Sequence, residues 1–252
     1  MKTLKYILIL LLAFSAFTGA SAEGKTHNWY FKQTEGDARP IVFGGDTMPD
    51  KYGAIYMGSP DEKVIYLTFD AGYGNENLDS ILDTLKKEQV EATFFILPAM
   101  LKYAMPAVKQ MIEDGHLVAN HTYSHCNMAR LGSKEAVEKE LSSLADLYKE
   151  ATGEEMAPYY RPPEGAFTED TLRFAHELGY TAVFWSFAYA DWDNGKQPDA
   201  ESAKRRILDS VHNGEVMLLH PNSAANAAVL PEVISTLKAE GYSFRRIDRF
   251  IP

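Results

Sequence analysis

Cysteine is almost absent from this sequence: Cys126 is the only one in 252 residues. A lone cysteine excludes an intramolecular disulfide, so the chain is not one of the small domains that disulfides hold together. Its stability must come from a packed core, and the length and the 46% hydrophobic content suffice for one large domain. We expect the Cys126 thiol to be buried.

Basic residues are also scarce. There are 25 Lys and Arg against 35 Asp and Glu, which gives a formal net charge of −10. Nucleic-acid binding depends on neutralising phosphates with Lys and Arg, so this composition argues against a nucleic-acid partner. An acidic chain is equally poorly suited to an anionic lipid surface. We therefore expect neither as a partner.

Long hydrophobic runs are missing except at the N-terminus. Two lysines precede an apolar run over residues 7–17, and residues 20–22 form an A-x-A cleavage site. This pattern predicts a secretory signal peptide over residues 1–22. The alternative is an uncleaved membrane anchor, but the apolar run is short for a bilayer span. We expect a secreted monomer without stable membrane association after signal cleavage.

The remaining sequence contains neither repeats nor a low-complexity linker, which indicates one domain. Residues 23–60 are rich in Gly, Pro, Asp and aromatic residues without periodicity, and we interpret them as an N-terminal extension wrapping that domain. Over residues 61–252, apolar strands alternate with amphipathic helices, which is typical of an α/β domain with a parallel sheet or barrel. The seven predicted strands cover residues 64–70, 92–97, 117–120, 159–161, 181–186, 215–219 and 243–247.

The first of these strands is a continuous apolar run that stops at Asp70. Such a run, bounded by turn signals, predicts a strand buried on both faces of a parallel sheet. Asp70 then lies at the carboxyl end of the strand, where α/β sheets and barrels carry their active sites. The alternative is an aspartate that only caps the next helix.

Polar residues follow four further predicted strands in the same way. Because the carboxyl ends of parallel strands face one mouth of a barrel, we expect these side chains to converge with Asp70. Helix capping does not explain such a recurrence. The residues are His121, His125, Arg161, Glu164, Asp191 and His220.

Two features of this set indicate particular chemistry. His121 and His125 are four residues apart, a spacing that lets two imidazoles bind one metal ion if the segment makes a helical turn. The zinc-protease helix is excluded, since Thr122 stands where that motif has Glu. Arg161 precedes two prolines that restrict its backbone, and its guanidinium is suited to orienting a carboxylate.

Five segments, in this order, resemble the polysaccharide deacetylases of carbohydrate esterase family 4. They are TFDAGY at 68–73, HTYSH at 121–125, RPPEG at 161–165, FWSFAYADW at 184–192 and LLH at 218–220. The resemblance runs from about residue 52 to the C-terminus. It implies a distorted (β/α) barrel with about seven parallel strands. It also implies an enzyme that removes acetyl groups from N-acetylated sugars with a divalent metal, which we expect to be Zn²⁺.

The resemblance also implies roles for individual residues. Asp70 matches the general base and His220 the general acid, whereas Arg161 matches the residue that orients the base. His121 and His125 match the metal ligands. The backbone N–H of Glu164 matches an oxyanion contact, and Asp191 is a further acid near the mouth. Trp192 and Leu219 match the residues that form the pocket for the acetyl methyl group.

Two positions depart from the family pattern, because Ala71 and Ala188 stand where many members have aspartate. The first loss removes an anionic metal ligand and predicts weaker metal binding, through two histidines and water. It also favours the subgroup called delta-lactam-biosynthetic de-N-acetylases, which lack that aspartate. Their substrate is N-acetylmuramic acid in peptidoglycan, which leads to the muramic δ-lactam of spore cortex. This places the enzyme in the cell wall or the forespore intermembrane space.

Two alternatives remain open from the sequence. One is a deacetylase of peptidoglycan N-acetylglucosamine or of chitin oligomers, since specificity lies in loops without periodicity. The other is a catalytically silent barrel that binds the cell wall, which Ala71 and Ala188 favour and the intact Asp70, Arg161 and His220 oppose.

Overall fold

The structure, a computed structural model, describes residues 24–34 and 39–252. The predicted signal peptide lies outside the described residues. Within the described part of the chain, no helix combines the length and the apolar composition that crossing a membrane requires.

Seven strands of the described chain form a parallel sheet that curls into a partial barrel. Its central strand pairs with three others, and Leu219 lies beside Phe69 while Asp70 lies beside Phe95. The predicted α/β fold with a distorted parallel barrel is therefore confirmed. The strands are β4 (Val64–Ala71), β5 (Thr93–Ile96), β6 (Leu117–Asn120), β7 (Tyr159–Tyr160), β9 (Thr181–Ala182), β10 (Glu215–Leu219) and β11 (Ser243–Phe244).

Helices cover the outside of this sheet, as the 3.6-residue pattern of apolar positions requires. Every residue of β4 is buried, since one face packs against the helices and the other lines the barrel interior. The helices are α1 (Glu76–Glu88), α2 (Pro98–Tyr103), α3 (Met105–Glu113), α4 (Lys134–Thr152), α5 (Glu169–Glu177), α6 (Ala200–Leu208) and α7 (Ala224–Ala239).

Side chains at the helix N-termini exclude the capping alternative for Asp70. Helix α1 is capped by Asn75, whose side chain accepts a hydrogen bond from the Leu78 N–H. Asp70 is therefore free for another role. Ser133 caps α4 as its sequence position suggests, and Gly153 ends that helix with a φ of 80°.

Within its described residues, the N-terminal extension contains three two-residue strands and pairs with later parts of the chain at several places. β1 (His27–Asn28) pairs antiparallel with β8 (Ala166–Phe167), whereas β2 (Phe31–Lys32) and β3 (Ile41–Val42) pair with each other. Further on, Ile55 bridges to Val183 in parallel, and Met57 bridges to Glu215. These bridges fill the gap between β9 and β10.

Three local predictions differ from the structure. The strand expected over residues 181–186 is a regular strand only at Thr181–Ala182; beyond it the Val183 N–H still donates to the Tyr160 carbonyl, whereas the Ser186 N–H donates to the Val216 carbonyl of β10. A short helix, α2, follows β5 where Pro98 suggested only a stop, since proline is well tolerated in a first helical turn. Cys126 is half-buried and not fully buried.

Candidate active site

A cavity of about 640 Å³ opens at the carboxyl ends of the barrel strands. Six of the residues singled out in the sequence line it: Asp70, His121, His125, Glu164, Trp192 and His220. A larger groove of about 720 Å³ lies near the amino ends of β10 and β11, and none of the described residues lining it belongs to the five motifs. The ionisable groups suited to catalysis converge in the first cavity, which we take as the candidate site.

A buried ion pair forms the floor of this cavity. Arg161 is completely buried, and its Nη1 donates to Asp70 Oδ1 at 2.7 Å. The same guanidinium stacks 4.2 Å from the centre of the Phe95 ring. Its remaining hydrogen bonds go to Thr68 Oγ1, at 2.9 Å, and to the carbonyls of Val183 and Phe184, at 3.1 and 3.3 Å. Arg161 therefore holds Asp70 in one orientation.

The ionisation of Asp70 follows from this pairing. Burial alone would raise the pKa of its carboxyl, but Arg161, His121 and His220 outweigh that effect and hold the pKa below its ordinary value. Asp70 is therefore a carboxylate at neutral pH, and its Oδ2 lies 3.6 Å from His121 Nε2. A carboxylate in this position is able to accept a proton.

His121 is fixed as a neutral imidazole. Its Nδ1 lies 3.0 Å from the carbonyl oxygen of Arg161, an acceptor, so Nδ1 carries the proton and Nε2 keeps a lone pair. Burial lowers the pKa of His121 to about 4. This is the tautomer of a metal-binding histidine supported by a backbone carbonyl.

His125 lies beside His121, although not through the helical turn that the spacing suggested. Thr122 and His125 have φ values of 71° and 54°, so the segment is an irregular loop. Glu140 anchors this loop, because its side chain accepts from the Ser124 N–H and its carbonyl accepts from the Tyr123 N–H. The centres of the two imidazoles are 5.0 Å apart.

The two histidines fit a divalent cation as a pair of ligands, since the Nε2 lone pair of His121 is free and both rings face the cavity. Within the described residues, no set of three or more His, Cys, Asp or Glu side chains has an arrangement suited to a metal ion. Ala71, the predicted departure, is fully buried in the core between sheet and helices, and Ala188 lines the cavity. Water or substrate would have to complete the coordination.

On the opposite wall, His220 contacts a buried carboxylate. Asp191 is completely buried and accepts from His220 Nδ1 at 2.7 Å and from the His220 N–H at 2.7 Å. Asn226 donates to the same carboxylate at 2.6 Å, and the Tyr189 hydroxyl donates to the Asn226 side-chain oxygen. Burial would lower the pKa of His220, but Asp191 outweighs it and raises the pKa above 6.5. His220 is thus suited to donating a proton.

Of the remaining predicted site residues, two line the cavity and one does not. Glu164 lines the cavity, as does Trp192, whose exposed ring lies 5.9 Å from the His220 ring. Leu219, assigned by resemblance to the acetyl pocket, is instead buried in the core beneath the helices. Side chains alternate along a strand, so the neighbouring Leu218 faces the cavity together with His220. Of these two leucines, Leu218 and not Leu219 therefore lines the cavity.

Further lining residues were not singled out from the sequence. Tyr73 and Trp185 lie inside the quoted motifs, so their position in the chain was a usable signal. Asn222 lacked any such signal, because it donates to Tyr73 Oη and to the Trp192 carbonyl only after the chain has folded. The additional lining residues are Gly72, Tyr73, Leu97, Trp185, Tyr189, Leu218 and Asn222.

The cavity thus presents a proton acceptor and a proton donor to the same space. Asp70 has a lowered pKa and His220 a raised one, so the surroundings favour the ionised form of the first and the protonated form of the second. A pair of groups whose surroundings push their pKa values apart is typical of an acid–base mechanism. The arrangement is suited to hydrolysis in which water is deprotonated on one side and a leaving group is protonated on the other.

Comparison with known proteins gives a consistent result. Residues 57–183 match the family model described as Polysaccharide deacetylase. The peptidoglycan-N-acetylmuramic acid deacetylase PdaA of Bacillus subtilis is 35% identical, and the match covers 95% of this chain and 91% of PdaA. The solved structure of PdaA superposes with a TM-score of 0.85, covering 90% of this chain and 97% of that one.

Two other proteins illustrate the range of the similarity. A peptidoglycan-N-acetylglucosamine deacetylase of Bacillus cereus is 32% identical over 77% of this chain and 70% of its own length. A solved structure described as a family 4 carbohydrate esterase pseudoenzyme from Bacillus anthracis is 29% identical, with a TM-score of 0.72, over 79% of this chain and 69% of that one.

Proposed function

The chain belongs to the polysaccharide deacetylase family, and we propose that it deacetylates N-acetylmuramic acid in peptidoglycan. The observation that carries this proposal is the cavity in which a carboxylate held by Arg161 faces a histidine held by Asp191. Hydrolysis of an acetamide needs a base for water and an acid for the departing nitrogen, and this cavity contains one of each.

In the proposed mechanism Asp70 accepts a proton from the attacking water. His220 then protonates the nitrogen of the leaving sugar amine, and Asp191 stabilises the charged imidazole until that transfer. The backbone N–H of Glu164 donates to the oxyanion of the tetrahedral intermediate. His121 and His125 would hold a divalent cation, Zn²⁺ in our proposal, which when bound polarises the acetamide carbonyl and lowers the pKa of water.

Support for muramic acid as the sugar comes from how far the likeness to PdaA extends. It covers 95% of this chain, whereas the likeness to the B. cereus N-acetylglucosamine deacetylase covers 77%. The freed amine of muramic acid lies next to a lactyl carboxyl, so deacetylation prepares the formation of a δ-lactam. The lysine pair and apolar run before residue 22 support export to the cell wall or the forespore intermembrane space.

Acetate release tests this proposal. Purified protein is incubated with muropeptides, with glycan strands stripped of peptide and with chitin oligomers, each with chelator and with added Zn²⁺. We expect chelator-sensitive release from peptide-free glycan strands, with free muramic amine or δ-lactam as product. Asp70→Asn is the matched control, because it keeps the size of the side chain and removes the base.

The other outcomes separate the alternatives. Release confined to N-acetylglucosamine would retain the enzyme and reject muramic acid. Absence of release under every metal tested would favour a silent cell-wall-binding barrel, because Ala71 and Ala188 stand where many members of the family have aspartate.

A further inference from the structure

The turn that carries Glu164 has an unusual backbone. Glu164 has φ 58° and ψ 7°, and Gly165 follows with φ 63°. Positive φ is rare for a residue with a side chain, and a turn whose third residue has positive φ normally has glycine there, where this one has Glu164. The hydrogen bond of the turn runs from Gly165 N to Pro162 O, at 3.0 Å, and does not use the Glu164 N–H. Such a conformation persists only where its surroundings enforce it.

Trp29, from the N-terminal extension, holds the turn in this conformation. Its N–H donates to the Gly165 carbonyl at 2.7 Å, next to the pairing of β1 with β8. A Cβ on Gly165 would lie 2.8 Å from Trp29 Cβ and 2.9 Å from Trp185 Cη2. Gly165 is therefore clamped between two tryptophans, without space for movement toward either.

Trp29 also contacts a second wall of the cavity. The indole Nε1 of Trp29 donates to the Trp185 carbonyl at 2.8 Å, and its ring stacks on Phe184 with centres 4.3 Å apart. Trp29 is only 5% exposed. It therefore joins the Glu164 turn to Trp185, and both line the cavity.

We propose that Trp29 is a positioning residue of the active site, which sets the direction of the Glu164 N–H and the place of Trp185. The family match begins only at residue 57, so the residue that supports this part of the active-site wall lies outside the matched region. The inference rests on the proposed function, because the role of the Glu164 N–H as an oxyanion donor belongs to it.

Three variants test this. Trp29→Phe keeps the backbone pairing and a ring but loses the donor to Trp185, whereas Trp29→Ala also loses the ring. Tyr30→Ala is the matched control, because Tyr30 is the next residue of the same extension and is 52% exposed. Removing one oxyanion donor lowers kcat by about 10²–10³. For a misplaced donor we expect part of this loss, roughly 10–100-fold for Trp29→Ala and about 3–10-fold for Trp29→Phe.

The expected signature is a fall in kcat with KM changed less than about twofold, since an oxyanion contact forms only as the reaction proceeds. The Tyr30→Ala control should match wild type. If Trp29→Phe and Trp29→Ala also keep the wild-type kcat, the inference is wrong. If Trp29→Ala does not fold, Trp29→Phe decides alone.

Amide hydrogen exchange separates this inference from the proposed function. In Trp29→Phe, which loses the donor to the Trp185 carbonyl, the peptide covering residues 184–188 should exchange faster than in wild type, whether or not the wild type releases acetate. Unchanged exchange there would overturn the positioning role. An inactive wild type with faster exchange in the variant would reject the proposed function and retain the clamp.

Discussion

Replacing Arg161 by methionine should destabilise the protein strongly at neutral pH. The substitution removes the partner of a buried carboxylate and the donor to two carbonyls and one hydroxyl. Breaking a buried pair from one side costs about 3–5 kcal/mol. For a domain of this size that corresponds to a fall in Tm of roughly 6–20 °C. Arg173→Met is the control, because Arg173 also pairs with carboxylates and lies over a phenylalanine ring but is 40% exposed.

The pH dependence of the stability lost in Arg161→Met distinguishes loss of the Arg161 charge from loss of its packing contacts. In wild type the pKa of Asp70 is lowered, so the pair contributes stability above the ordinary Asp pKa of about 3.9 and loses it as pH falls. Without Arg161, burial raises the Asp70 pKa, and the unpaired carboxylate destabilises the variant until it is protonated. The difference in free energy of unfolding between wild type and variant should therefore narrow as pH falls from 7 toward about 4.

Urea unfolding at pH 7, 5.5 and 4.5 measures this difference. Asp70→Asn in the Arg161→Met background should recover part of the loss at pH 7, because it removes the unpaired charge. A difference that is the same at all three pH values, and is not recovered by Asp70→Asn, would refute the reasoning. A loss for Arg173→Met as large as that for Arg161→Met would refute the assigned role of burial.

Three further outcomes are expected. His220→Ala should lower kcat by about 10²–10⁴, the usual contribution of one acid–base group, and a loss below about threefold would remove His220 from the mechanism. Asp191→Asn should lower the pKa of His220, so the alkaline limb of the kcat–pH profile should move to lower pH; an unmoved limb would contradict the pairing. Burial lowers the pKa of His116 to about 4, so this residue alone should lower the free energy of unfolding by up to about 3 kcal/mol between pH 6.5 and 4. His116→Gln should reduce that slope without abolishing it, because burial also lowers the pKa of His121 and His212 to about 4.

Sequence periodicity was sufficient for most of the fold. The apolar runs at β4 and β10 predicted strands within a residue or two of their observed bounds, because a strand buried on both faces is apolar at most of its positions. The long helix α4 was bounded correctly by Ser133 and Gly153, since capping is local chemistry. Among the two-residue strands, β7 was predicted to within one residue and β9 and β11 were predicted too long, whereas β1, β2, β3 and β8 were not predicted.

The choice between Leu218 and Leu219 illustrates what periodicity leaves open. Both are apolar and adjacent, and a strand that is buried on both faces does not reveal which face lines the cavity. The tertiary structure decides this, because β10 has its helices on one side and the barrel interior on the other.

The sequence by itself determined the class of fold and the types of chemical group at the strand ends, because parallel strands bring their carboxyl ends together whatever their order. Only the tertiary structure decided the ionisation of Asp70 and His220, since each pKa depends on a partner from another strand or loop. It alone joined Trp29 to Gly165, residues separated by most of the barrel sequence. The burial of a residue, its ionisation and its backbone conformation depend on neighbours in space. These neighbours are distant in the sequence, so a local stretch of sequence does not predict them.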